Sequence, residues 1–220
     1  MLDAALALAA VAAALTLRPW RALPPGGPPW PWLAWWAVLP LLWGVDGPQP
    51  GNPSGMDGSG NPGTASLAQP ISGASLLTLM AGWPLAVLAL VPTAAITGWL
   101  TAMPPELVLQ RFVWLGVVPA TLVMAIGAGL RHWLPNHLFI YILGRGFFAT
   151  LLAGSGAALG QWLLHIGPAH VSSADLLLAR VLTASGDAFI TGMLVSMFVA
   201  FRPLWLATYA DKIYLQPPPR

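Results

Sequence analysis

Apolar residues fall in long runs, broken by clusters of proline, glycine and small polar residues. A bilayer core takes roughly 20 apolar residues as one helix. On that measure the pattern predicts spans over residues 3–17, 31–45, 71–83, 84–103, 111–130, 137–166 and 174–201. The breaks between them are compositional. Residues 22–30, ALPPGGPPW, read as a turn, and 168–173 as a short polar connection. Residues 46–70, DGPQPGNPSGMDGSGNPGTASLAQP, are rich in glycine, proline, asparagine and serine and predict an extramembrane loop. Residues 203–220 predict a short C-terminal tail whose last residues, QPPPR, are expected to be disordered. The first apolar run lacks a preceding basic stretch, and Arg18 and Arg21 follow it, so we read it as a retained helix and not a cleaved signal peptide.

The stretch 71–103 is too long for one upright helix. Its 33 residues would reach ~50 Å at a rise of about 1.5 Å each, against a core of ~30 Å. Gly82-Trp83-Pro84 lies at its middle, and proline disfavours a helix continuing through its own position. The reading is therefore a helical hairpin. Charge agrees with this split. With seven helices and the N-terminus outside, Arg18, Arg21, Arg131, Arg202, Lys212 and Arg220 fall on the cytoplasmic side. Arg111 falls outside, with Asp3, Asp46, Asp57, Glu106 and Asp175. That distribution satisfies the positive-inside rule. The expected fold class is all-α, a polytopic transmembrane helix bundle of about seven helices. Its N-terminus is outside, its C-terminus is cytoplasmic, and residues 1–220 form a single integral membrane domain.

Composition narrows the function classes. Of the 220 residues, 57% are hydrophobic and only 7% charged, where soluble domains carry roughly 25% charged residues. Membrane lipid is thus an expected partner. The basic residues are scattered, which argues against nucleic acid, because phosphate neutralisation needs a basic stripe. The absence of cysteine removes disulfides, thiolate metal sites and cysteine nucleophiles. No nucleophile elbow, phosphate loop or HExxH pattern occurs, so no catalytic residue, resident cofactor or metal site is expected. The twelve tryptophans, among them Trp30, Trp32, Trp35, Trp36 and Trp43 around the second span, read as interfacial belts.

Charges within the predicted spans are the candidates for function. Arg145 sits in GRG of the sixth span, and Arg180 and Asp187 lie in the seventh, two helical turns apart on one face. Asp187 is a possible partner for Arg145 across the helix boundary. Such a pair either lines a substrate pathway or clamps two helices together. Ser72, Ser75 and Thr78 offer hydroxyls at the start of the third span, either to a cavity or back to their own helix. Two histidine pairs, His132/His137 and His165/His170, are spaced i, i+5, which is poor for two ligands on one helix face. Gly144, Gly146, Gly154, Ser155, Gly156 and Gly160 form a small-residue face suited to close helix packing. Met80, Met103, Met124, Met193 and Met197 read as core filler.

Three segments resemble the membrane permeases of energy-coupling-factor ABC transporters, which are related to cobalt/nickel substrate-specificity components. They are ISGASLLTLMAGWPLAVLAL at 71–90, LPNHLFIYILGRGFF at 134–148 and GDAFITGMLVSMFVAFRPLWLATYADKIYL at 186–215. Through the second segment Asn136 joins the candidate polar residues. The resemblance implies a small-solute permease of a bacterial inner membrane, docked on a transmembrane coupling protein driven by ATPases. It also implies a metal held by the terminal amine, a histidine at the second position and a histidine after Ser-Gly. Here those two positions hold Leu2 and Ala74, so the nickel/cobalt site is expected to be lost, while Asp187 stands at the family's carboxylate position. The alternative function is a non-transporting accessory subunit of a larger membrane protein complex.

Overall fold

A computed structural model describes residues 1–22, 28–44, 70–134, 137–167 and 172–209. Among them seven helical rods form: α1 Leu2–Thr16, α2 Trp30–Trp43, α3 Ala74–Ala81, α4 Trp83–Thr101, α5 Pro105–Trp133, α6 Ile140–Leu163 and α7 Ser173–Phe201. The described residues contain no strand. The expected class, a polytopic bundle of about seven helices, is the class observed. Four of the helices, α4 to α7, are long and apolar enough to cross a membrane. Most of the predicted loop at 46–70 lies outside the described residues, as do the tail beyond Tyr209, Asn136 and His170.

Side-chain contacts fix which helix ends lie together. The Trp114 indole donates to Asp3 Oδ1 at 3.0 Å, Arg111 donates to the Trp43 carbonyl, and Gly44 lies against Thr101. These contacts gather the start of α1, the ends of α2 and α4 and the start of α5 at a first end. At the second end, Trp32 donates to the Trp205 carbonyl at 2.7 Å and the Ala207 amide to the Met80 carbonyl at 2.9 Å. The helices therefore alternate, with α1, α3, α5 and α7 running toward the second end and α2, α4 and α6 returning.

The chain between α3 and α4 reverses at Gly82, where φ is 83° and ψ is 157°. Backbone of that kind is accessible to glycine and strained for other residues. Pro84, in the first turn of α4, is tolerated there because its missing N–H has no helical partner to lose. The predicted hairpin is thus present, but its first arm is short. Eight residues span only about 12 Å at ~1.5 Å per residue. Residues 71–73, expected within the helix, are not helical. All eight residues of α3 are buried, so this arm is an internal plug and not a lipid-facing span.

Both α5 and α6 contain a stretch of wider π-helical winding, at Phe112–Val117 and Ile140–Phe148. Such stretches often mark functional sites. Here the first carries Leu115 and the second Arg145. The small-residue face of α6 meets two neighbours. A Cβ on Gly154 would lie 2.7 Å from Ala184 Cβ of α7, and one on Gly160 would lie 2.9 Å from the Trp114 ring of α5. This is the close approach that small residues permit in lipid.

Candidate functional site: a buried helix start beside a polar cavity

The non-helical backbone of Ser72 and Gly73 lies inside the bundle. Hydrocarbon offers no hydrogen bonds, so such backbone persists only where protein or a wet cavity satisfies it. The partners here are specific. The Ser72 carbonyl accepts from the Trp43 indole at 2.8 Å and the Gly73 carbonyl from the Trp35 indole at 3.0 Å. The Gly73 amide donates to Asp187 Oδ1 at 3.3 Å, and the Ala74 amide to Ser72 Oγ at 3.2 Å. Ser72 Oγ in turn donates to the Leu115 carbonyl at 2.6 Å. Helices α2, α5 and α7 each contribute to holding the start of α3.

Gly73 is required at this position on two counts. Its φ of 59° is left-handed, and a Cβ there would sit 2.5 Å from Leu39 Cδ2 and 3.1 Å from the Trp35 ring. Asp187 is the central residue of the 29-residue α7, so α3 begins near mid-depth with its positive end facing a carboxylate. A helix N-terminus carries about half a positive charge, and a carboxylate beside it is stabilised.

A cavity of about 50 Å³ opens beside this junction. It exceeds the ~10–15 Å³ that one water needs. Asp187, Ser72, Gln161, Thr183 and Arg180 bring polar groups to it, between apolar surfaces of Trp114, Pro119 and Ala157. Asp187 is 3% exposed and Arg180 half-buried. Arg180 Nη2 donates to the Ile166 carbonyl at 2.9 Å, while its Nε has no partner. Arg180 and Asp187, two turns apart on α7, thus face one cavity, a cation at one level and a carboxylate about 10 Å along the axis at ~1.5 Å per residue.

Arg145 is elsewhere. Its Nη1 donates to the Thr208 carbonyl at 3.4 Å, its guanidinium lies over the Tyr141 ring at 5.8 Å, and it lines a separate cleft at the second end. Asp187 bonds the Gly73 amide and lines the other cavity, so the structure separates the Arg145–Asp187 pair entertained from the sequence. The buried carboxylate takes its hydrogen bond from the backbone, which a comparison of side-chain charges does not reveal. Ser72 and Ser75 also part. Ser72 lies outside the helix and bonds α5, whereas Ser75, inside α3, is 1% exposed and its hydroxyl has no partner. Thr78 bonds back to the Ala74 carbonyl at 2.7 Å.

Four tryptophans of α2 depart from the interfacial reading, while Trp30, 69% exposed at the start of the helix, suits it. Trp32 and Trp43 are buried, and Trp32, Trp35, Trp36 and Trp43 each donate to a backbone carbonyl of another element. The belt reading suits Trp99 and Trp133, which are 81% and 84% exposed. Gln161 was missed from the sequence, although a lone amide within an apolar helix is a readable signal. No group of three His, Cys, Asp or Glu able to hold a metal exists among the described residues.

Comparison with known protein families, with characterised proteins and with solved structures finds no match for this chain.

Proposed function

We propose that this chain is a membrane-embedded binding component for a small polar solute, taken into the cavity beside the start of α3. The observation that carries this reading is the buried junction of Gly73 and Asp187, opening on a cavity with Arg180, Gln161 and Thr183. Discontinuous helices with ends at mid-depth are the recurring way membrane proteins present backbone charge to a solute. An ionisable residue inside a span is costly to place there, by about 2.5–3.5 kcal/mol on insertion scales, which favours a working role over chance. Arg180 suits an acceptor group of the solute, and Asp187 a donor group.

The reading extends to an uptake system of the energy-coupling-factor kind, on the strength of the three resembling segments. In it the first end faces outside, a bacterial inner membrane holds the protein, and partner ATPases supply energy through a coupling protein. The test is isolation of the native protein in nanodiscs, with mass spectrometry of copurifying proteins and small molecules and elemental analysis. A retained polar solute that is lost in Arg180→Gln, together with coupling ATPases, supports the proposal. Copurification with an unrelated large complex, and no solute, favours the accessory-subunit alternative.

A further inference from the structure

The second end of the bundle carries a cleft of about 530 Å³ that the proposed solute site does not use. It lies between the end of α1, the α3–α4 reversal, α5, α6 and the segment after α7. Two arginines, Arg131 of α5 and Arg145 of α6, line it, and no Asp or Glu does among the described residues. The rest of the lining is largely apolar, including Leu17, Trp83, Leu85 and Met124.

Arg145 is the informative residue. It is only 4% exposed, and its Nε has no hydrogen-bond partner. Its guanidinium occupies the space a side chain at position 127 would fill: a Cβ on Gly127 would come within 2.6 Å of Nε. Arg131 follows Gly127 by one helical turn, so α5 presents a gap for one arginine and then supplies the other.

Among the described residues, what surrounds Arg145 does not neutralise it. The Thr208 carbonyl and the Tyr141 ring are dipolar and quadrupolar partners, not charges. The C-terminal end of α3 offers at most about half a negative charge. Its Leu79 and Met80 carbonyls already accept the Thr208 and Ala207 amides. Among the described residues, this buried guanidinium with an idle donor, beside a second arginine and a cleft, meets no anion.

We infer that the cleft is a binding site for a phosphate-bearing anion, held by Arg131 and Arg145. Guanidinium groups match phosphate oxygens in a bidentate geometry. The apolar lining accommodates the carbon part of a phosphate ester. The same chemistry is offered by the headgroup of an anionic phospholipid and by a free phosphate or phosphorylated solute. This inference stands apart from the solute cavity and does not require transport.

The test uses the full-length protein in nanodiscs of phosphatidylcholine, with and without phosphatidylglycerol. Native mass spectrometry reads retained lipid, and calorimetry reads binding of inorganic phosphate. Preferential retention of phosphatidylglycerol identifies a lipid headgroup, and phosphate binding identifies a free anion. Either is expected to weaken by about tenfold or more in Arg145→Gln and in Arg131→Gln, the loss of one charge-assisted contact. Arg131 is exposed, so its substitution reports on the site even where Arg145→Gln impairs folding. Arg145→Lys is expected to retain part of the binding. The absence of both phosphatidylglycerol preference and phosphate binding in the wild type would overturn the inference, as would undiminished binding in Arg131→Gln.

Discussion

The Asp187 carboxylate accepts a hydrogen bond from the Gly73 backbone amide at 3.3 Å, joining the middle of α7 to the start of α3. Neither residue accounts for the other in isolation. The amide is exposed to bonding because the chain is not helical at Gly73, and the carboxylate is tolerated in an apolar bundle because a helix start faces it. Asp187→Ala leaves that amide buried and unpaired, and we expect a loss of about 1–3 kcal/mol in stability. Asp187→Asn keeps an acceptor oxygen and is expected to lose less. Thermal unfolding in one detergent ranks the two variants, and equal stability of Asp187→Ala and wild type would remove the junction from the account.

The two positive-φ glycines are expected to differ. Gly73 lies in the left-handed helical region and Gly82 in the extended positive-φ region, and either conformation costs a non-glycine residue roughly 1–3 kcal/mol. Gly82→Ala incurs that strain alone, since nothing lies within 4 Å of its added carbon. Gly73→Ala adds a clash with Leu39 and Trp35. Detergent-solubilised yield and melting temperature should therefore fall much further for Gly73→Ala than for Gly82→Ala.

Two indoles hold the backbone that precedes α3. Trp35→Phe and Trp43→Phe keep an aromatic ring but strip the N–H from the Gly73 and Ser72 carbonyls. Each is expected to cost about 1–3 kcal/mol. Trp99→Phe, at an 81%-exposed ring with no such bond, serves as the control and is expected to be near neutral.

Arg145 and Asp187 have no common partner and line different cavities. A double-mutant cycle of Arg145→Gln and Asp187→Asn should be additive within about 0.5 kcal/mol. A larger favourable coupling, with the double variant recovering stability lost by each single one, would restore the helix-clamp reading.

Much of the fold is legible in the chain. Apolar runs separated by Pro/Gly clusters locate the helices, and Gly82-Trp83-Pro84 marks the reversal between α3 and α4. The cavity is only half legible. Arg180 and Asp187 stand out as charges in an apolar helix, and their spacing places them on one face. The partner of Asp187 does not stand out, because it is a backbone amide. Ser72 and Gly73 look helical, since small apolar neighbours surround them. Only tertiary contacts from Trp35, Trp43 and Leu115 show that their hydrogen bonds go elsewhere. Trp32, Trp35, Trp36 and Trp43 mislead for the same reason: a ring near a helix end reads as a lipid anchor unless the carbonyl it meets is known.

The proposed solute site requires that a polar cavity open to water reach the middle of the bundle beside α3. The chain lacks cysteine, so single cysteines can be introduced into the wild-type background. The direct measurement is the reactivity of Thr183→Cys, Ser75→Cys and Leu182→Cys toward a small, charged, membrane-impermeant thiol reagent in sealed vesicles. Thr183 lines the cavity, Ser75 is 1% exposed within α3, and Leu182 is 62% exposed on the outer surface of α7. Thr183→Cys is expected to react from one side only, while Ser75→Cys and Leu182→Cys stay inert in protein and lipid. An unreactive Thr183→Cys, or labelling of Ser75→Cys as fast as Thr183→Cys, would contradict the proposed site.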